Sequence, residues 1–262
     1  KLFIASTLSH LLVFTSTGKI HWLRVFSIPD VSRIAKGKSI ANLLRLQPGE
    51  SIASILSVRE FEEDKFVMVA TERGIVKKTS LMAYSKPRQG GIIGLTIDDG
   101  DRVIGAELCD GESDILLATA KGFSIRFPEK EVRPIGRTGR GVRGIRLKKE
   151  DQVVGAEIVH PGNKLLTVTS RGYGKRTLME EYPVQGRGGL GVMTIRCNEK
   201  IGTVVGVQQV DESDQLLVIT SDGNIVRMRV NEISLIGRNT QGVRLVGIGE
   251  GNQVVSIEKL VE

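Results

Sequence analysis

The sequence predicts an all-β, propeller-like array of about five four-stranded blades. Three observations carry that prediction: a recurring Thr-x-x-Gly, a second glycine at a near-constant offset from it, and apolar runs of strand length around both. The first glycines of the pattern are Gly18, Gly74, Gly122, Gly172 and Gly223, spaced 56, 48, 50 and 51 residues apart. Self-similarity at such a period marks an array in which each unit buries its apolar faces against its neighbours.

The elements follow in a fixed order. A β-like run such as Phe66-Val-Met-Val-Ala70 or Gln215-Leu-Leu-Val-Ile219 leads into the Thr-x-x-Gly, and another such as Ile75-Val-Lys-Lys78 leads out, which reads as a hairpin with glycine at its tight position. The second glycines, Gly37, Gly91, Gly141, Gly191 and Gly242, lie 19, 17, 19, 19 and 19 residues after the first and open a third strand, as in Gly191-Val-Met-Thr-Ile-Arg196. A fourth run closes each unit, as in Gln152-Val-Val-Gly-Ala156 and Thr203-Val-Val-Gly-Val207. The chain is therefore expected to be one domain, residues 1–262, with repeats at about 1–61, 62–111, 112–161, 162–211 and 212–262. No amphipathic helix longer than a turn or two is expected, and the constant offset argues against a β-sandwich with accidental self-similarity.

With 262 residues, 40% hydrophobic and 4% aromatic, the chain can bury a core. No stretch approaches the roughly 20 apolar residues of a membrane-spanning helix, so no membrane partner is expected. The N-terminus lacks the apolar core of a signal peptide and opens inside the repeat pattern, which suggests a fragment. Cys109 and Cys197 are far apart and read as reduced thiols of a cytoplasmic protein. The net charge of +7 favours a polyanionic partner.

Basic residues recur at fixed phases. Four residues after the hairpin glycine stand Lys78, Arg126, Arg176 and Arg227, with Lys77 and Lys175 just before two of them. The first repeat has His21-Trp22 there instead. A second set surrounds the later glycine: Lys36 and Lys38, Arg88, Arg137, Arg140 and Arg143, Arg187, and Arg238 and Arg244, with Arg133, Arg146 and Arg196 nearby. Acidic residues collect in connectors such as Glu60-Phe-Glu-Glu-Asp64. Groups at one phase land at one place on every blade, and these fifteen candidates are expected to form a basic rim that contacts the phosphates of a bent duplex, with glycines admitting phosphate to backbone N–H groups. No recognition helix offers sequence readout, and scarce aromatics argue against single-stranded nucleic acid.

Two matches to G-x-G-x-x-G, Gly139 to Gly144 and Gly186 to Gly191, are each followed by a strand pattern where a dinucleotide site needs a helix. The histidines, His10, His21 and His160, lack metal-ligand spacing, and no carboxylate pair or Ser-His-Asp set converges. No cofactor, metal or catalytic residue is expected. The rivals to DNA binding are an interaction scaffold with a basic rim for acidic proteins, and a propeller enzyme with a polar central site.

Segments such as Ala35-Lys-Gly-Lys-Ser-Ile-Ala-Asn-Leu-Leu44, Gly172-Tyr-Gly-Lys-Arg-Thr177 and Ile236-Gly-Arg-Asn-Thr-Gln-Gly-Val-Arg244 closely resemble the C-terminal domain of the DNA gyrase A subunit, or of its topoisomerase IV counterpart. The resemblance covers essentially the whole chain. It implies a β-pinwheel whose outer rim bends or wraps double-stranded DNA for a type IIA topoisomerase. It also implies partnership with the rest of the A subunit, with its ATPase B subunit, and a nucleoid-associated location. In that family the nucleophilic tyrosine belongs to the core, so Tyr84, Tyr173 and Tyr182 are not expected to act as nucleophiles. The chain departs from gyrases in lacking an intact Q-R-R-G-G-K-G box; Arg88-Gln-Gly-Gly91 and Gln185-Gly-Arg-Gly-Gly189 are the nearest segments. The local phrases are gyrase-like, and five repeats without the box resemble topoisomerase IV.

Overall fold

The computed structural model of the chain describes residues 5–32, 37 and 39–260. Its regular structure is strands joined by turns and 3-10 segments of three or four residues. The first repeat supplies β1 (His10–Thr15), β2 (Lys19–Arg24) and β3 (Ile52–Val58). The second supplies β4 (Phe66–Thr71), β5 (Ile75–Ser80), β6 (Ile92–Ile93) and β7 (Val103–Cys109). The third supplies β8 (Asp114–Thr119), β9 (Phe123–Pro128), β10 (Val142–Arg143) and β11 (Val153–Val159). β12 (Lys164–Thr169), β13 (Tyr173–Leu178), β14 (Val192–Met193) and β15 (Val204–Val210) form the fourth. The fifth holds β16 (Gln215–Thr220), β17 (Ile225–Arg229), β18 (Val243–Arg244) and β19 (Val254–Leu260).

The fourth repeat shows why the hairpin is built on Thr-x-x-Gly. Gly172 has φ +78°, a left-handed conformation that costs an L-residue about 1–2 kcal/mol. Its N–H donates to Thr169 O at 2.9 Å, and the Thr169 hydroxyl donates to Tyr173 O at 3.2 Å. The turn is thus closed from both sides. In every repeat the pairing between the first and last strands slips by a residue beside this turn, as between Val168 and Thr169, a bulge that bends the sheet at one phase.

The third strand is only two residues long, and it pairs with the hairpin of the preceding repeat rather than with its own. β6 pairs with β2, β14 with β9 and β18 with β13. The sheets accordingly read β3-β1-β2-β6, β10-β5-β4-β7, β11-β8-β9-β14 and β15-β12-β13-β18, with a last sheet β17-β16-β19 of three strands among the described residues. The hairpin glycine is the clip: Gly172 O accepts the N–H groups of Leu245 and Val246 at 2.8 and 3.2 Å. A Cβ on Gly172 would lie 2.5 Å from Val246 O, so the position excludes a side chain on steric as well as dihedral grounds.

The described residues divide into two compact units, 5–111 with 132–142, and 112–131 with 143–260. In the first, Leu12, Phe14, Ile20 and Val58 of one repeat pack against Val67, Val69, Leu81, Tyr84 and Leu95 of the next. In the second, one cluster joins Leu116 and Ala118 to Leu165, Met179, Tyr182 and Ile195, and another joins Leu166 and Val168 to Leu216, Val218, Val230 and Ile233. Leu165 and Leu166 therefore serve opposite faces of β12. That is why the first strand of each repeat reads as a continuous apolar run rather than an alternation. These three clusters lie between repeats, so removing one such leucine side chain is expected to cost about 2–5 kcal/mol across a junction.

Candidate nucleic-acid interface

The residues four places after each hairpin glycine are not a free basic rim. In the first unit Trp22 Nε1 donates to Tyr84 O of the following repeat at 2.8 Å, and Lys78, 3% exposed, lies with its ammonium 5.2 Å from the Phe66 ring centroid. In the second unit Arg126 donates to Met179 O at 3.1 Å and to Asp114 at 2.8 Å. Buried Arg176 donates to Ile233 O at 2.7 Å. Backbone pairing reinforces each latch: Ile135, Gln185 and Ile236 donate their N–H groups to Lys78 O, Arg126 O and Arg176 O at 2.8–2.9 Å. The expectation that Lys78, Arg126 and Arg176 face a ligand is thus corrected. The fixed phase of Arg126 and Arg176 has a structural cause, namely that each reaches the 3-10 turn and loop of the next repeat, while Lys78 is buried against Phe66 of its own repeat. Arg227 is exposed, with Nε 2.5 Å from Gln215 Oε1, and no repeat follows it among the described residues.

Lys77 and Lys175 are likewise buried, 1% and 0% exposed, contrary to the expected rim. Lys77 Nζ donates to Gly94 O at 2.6 Å and to Arg137 O. Lys175 Nζ donates to Gly237 O, to Arg238 O and, at 3.1 Å, to Thr240 Oγ1. Burial, with Arg137 nearby, brings the Lys77 ammonium down to about 8. Burial brings Lys175 to about 8 as well, where Glu181 opposes and Arg238 adds to the shift. Beside these lysines lie the buried phenols Tyr84, pushed up to about 12 by burial, and Tyr182, pushed up by burial too. Raised phenol affinity for the proton is the reverse of what a nucleophile needs.

The second phase behaves as a surface. Arg88, Arg140, Arg143, Arg187 and Arg244 are exposed, and Arg137 and Arg238 are half-buried. The loops carrying them are fixed by the neighbouring repeat. In the second unit Arg187 N–H donates to Glu131 Oε2 at 2.9 Å, while its guanidinium donates to Glu131 O at 3.2 Å and Arg143 O at 3.1 Å. One repeat on, Arg238 N–H donates to Glu181 Oε2 at 3.0 Å and its guanidinium to Met193 O at 2.9 Å. Arg196 adds a charge there, donating to Asn239 Oδ1 at 2.7 Å. In the first unit Arg140 pairs with Asp98 at 2.9 Å, with both side chains mostly in water, so the pair is weak and open to exchange for a phosphate. Lys36 and Lys38 lie outside the described residues.

The two G-x-G-x-x-G segments fall in these loops and run into β10 and β14. Sequence reasoning passed over Glu131 and Glu181, whose carboxylates hold the arginine loops by their backbone. The one available signal was an acidic residue closing the short turn after the second hairpin strand in the third and fourth repeats. It also passed over Tyr84 and Tyr182 as companions of Lys77 and Lys175, although both tyrosines stand seven residues after their lysine.

Residues 9–59, 65–110, 113–160, 163–211 and 214–260 match the family described as DNA gyrase C-terminal domain, beta-propeller. The DNA gyrase A subunit of Salmonella typhimurium (strain LT2) is 46% identical over 262 residues, all of this chain and 30% of that protein. The DNA gyrase A subunit of Chlamydia pneumoniae is 44% identical over 259 residues, 98% of this chain and 31% of that protein. The chain thus spans about a third of the length of these curated relatives. Among solved structures, the C-terminal domain of DNA topoisomerase IV aligns with a TM-score of 0.88 at 27% identity, covering 97% of this chain and 80% of that one. The DNA gyrase A C-terminal domain aligns with a TM-score of 0.86 at 24% identity, covering 98% and 84%, a likeness of fold.

Proposed function

Because the chain belongs to the family of DNA gyrase C-terminal β-propeller domains, we propose that it binds duplex DNA without sequence preference and bends or wraps it on a basic rim, presenting the bent segment to the catalytic core of a type IIA topoisomerase. The observation that supports this reading is the series of exposed or half-buried arginines near the second glycines, Arg88, Arg137 and Arg140 in the first unit and Arg143, Arg187, Arg238 and Arg244 in the second, with the backbone at Arg137, Arg187 and Arg238 clamped by the neighbouring repeat. Clamped loops keep the charges in place when the stiff duplex is bent, at an elastic cost of a few kcal/mol that must be met by phosphate contacts. The domain itself carries no reacting group in this reading. Strand passage falls to the rest of the A subunit together with the ATPase B subunit, in the cytoplasm at the nucleoid.

The test is ligation of relaxed, nicked circular DNA in the presence of increasing amounts of the chain. A salt-sensitive change in linking number is expected from a gyrase-like chiral wrap. Binding without such a change would mark the bending mode that the likeness to the topoisomerase IV domain favours. Joint charge reversal of Arg140, Arg143 and Arg187 is expected to weaken duplex binding roughly 100-fold and to flatten its salt dependence, because each lost phosphate contact releases one fewer condensed counterion. Unchanged affinity with an intact fold would return an interaction scaffold for acidic proteins to first place.

A further inference from the structure

We propose that Lys77 and Lys175 are positioning residues for DNA binding: each buried ammonium grips the backbone of the arginine loop of the following repeat and so fixes Arg137 or Arg238 for phosphate. The proposal rests on the duplex-binding reading and deepens it.

The fold does not need the charge. Three residues after the hairpin glycine stand Lys77, Ile125, Lys175 and Val226 in successive repeats, and ten residues after it stand Tyr84, Val132, Tyr182 and Ile233. Lysine goes with tyrosine and aliphatic with aliphatic. Ile125 and Val132, each 1% exposed, are buried aliphatic side chains at the equivalent positions of the third repeat. An ammonium in such a place loses its hydration and is retained only where something compensates.

Hydrogen bonds to the loop backbone compensate it. Neither lysine has an ion pair within 4.0 Å among the described residues; both donate to loop carbonyls, and Lys175 also to Thr240 Oγ1. Two of those carbonyls belong to Arg137 and Arg238 themselves. Each lysine thus fixes the backbone from which a half-buried arginine leaves, and the Arg238 guanidinium is steadied further by donating to Met193 O at 2.9 Å. Where Ile125 stands in place of the lysine, no ammonium holds the loop, and Arg187 turns its guanidinium onto Glu131 O and Arg143 O.

Each cation is buried near a like charge: Arg137 disfavours the Lys77 ammonium, and Arg238 disfavours the Lys175 ammonium while Glu181 favours it. A phosphate arriving at the arginine relieves that repulsion and favours the protonated lysine. Duplex binding and lysine protonation are therefore linked, which a purely structural lysine would not show.

The experiment measures anisotropy of a fluorescent 60-base-pair duplex against salt and pH for the full chain and for Lys77→Ile/Tyr84→Val combined with Lys175→Ile/Tyr182→Val, the pair that the third repeat already carries. The expected result is a cooperative melt, affinity about fivefold weaker, and a log–log salt slope smaller by about one per loop. The native chain is expected to lose affinity between pH 7.5 and 9.5, and the variant to show no such loss beyond that of Arg137→Ala/Arg238→Ala. A folded lysine variant with native affinity, slope and pH profile overturns the positioning role, and weakened binding by Arg137→Ala/Arg238→Ala in the same assay would leave the duplex-binding reading standing. Native binding by that arginine variant would remove these two loops from the interface and the proposal with them. Should the lysine variant fail to fold, the native pH profile decides: a fall through pH 8 to 9 supports the linkage, and a flat profile overturns it.

Discussion

The fourth and fifth repeats carry the same local sequence plan and differ in what lies beyond them. In the fourth, Gly172 O is clipped by Leu245 and Val246, Arg176 is buried on Ile233 O, and Lys175 is sealed under the loop of the next repeat. In the fifth, a Cβ on Gly223 would meet nothing within 4 Å, Arg227 is exposed, and β17 alternates between exposed and half-buried residues. The hairpins themselves are alike: Gly223 has φ +82° and Thr220 donates to Asn224 O at 3.2 Å. The difference teaches which features serve the turn and which serve the neighbour. Turn features persist in both repeats, whereas burial of the second strand is conferred by the repeat that follows.

The sharpest way to break that comparison is at the two glycines. Gly172→Ala is expected to cost about 3 kcal/mol or more, since a left-handed alanine must also push Val246 O away, whereas Gly223→Ala is expected to cost only the dihedral term of about 1–2 kcal/mol. Urea unfolding of the two variants compares them directly. The arginines come next. Arg176→Met leaves Ile233 O without its donor and is expected to destabilise by about 1–3 kcal/mol, while Arg227→Met is expected within about 0.5 kcal/mol of the native chain.

The smallest effect is in the pH dependence. In the fold Lys175 holds its proton less tightly than in the unfolded chain, to about 8 from 10.5. Between those values the unfolded chain carries more of that proton, so the stability contributed by the residue rises with pH; below about 8 both states are charged and the burial penalty is present in full. Lys175→Ile should remove this rise, and Val226→Ile should leave the pH profile as it was. Urea midpoints at pH 7.5 and 9.5 read both. A native midpoint that falls relative to the Lys175→Ile midpoint over this interval would contradict the assignment.

Much of this organisation is legible in the sequence because it is local. The Thr-x-x-Gly turns, the doubly buried first strands and the offset between the two glycines are all short-range requirements of backbone geometry and of burial on both faces. The partner of the third strand is not local. A two-residue strand such as Val192-Met193 carries too little pattern to say which hairpin it joins, and pairing within its own repeat is the simpler reading of the spacing. The basic residues divide for a similar reason. Arg176 and Arg187 both recur in phase and both sit near glycines, and only the position of the next repeat makes one a buried latch and the other an exposed contact. Phase reports that a residue meets the same surroundings in each repeat; it does not report whether those surroundings are protein or solvent.

Lending the third strand backwards also puts the hereditary unit and the mechanical unit out of step. A tandem duplication of some fifty residues delivers one strand to the sheet behind it, as the second to fifth repeats do among the described residues. The array can lengthen or shorten by whole copies without any new edge having to be invented. The number of blades is open to selection through copy number alone.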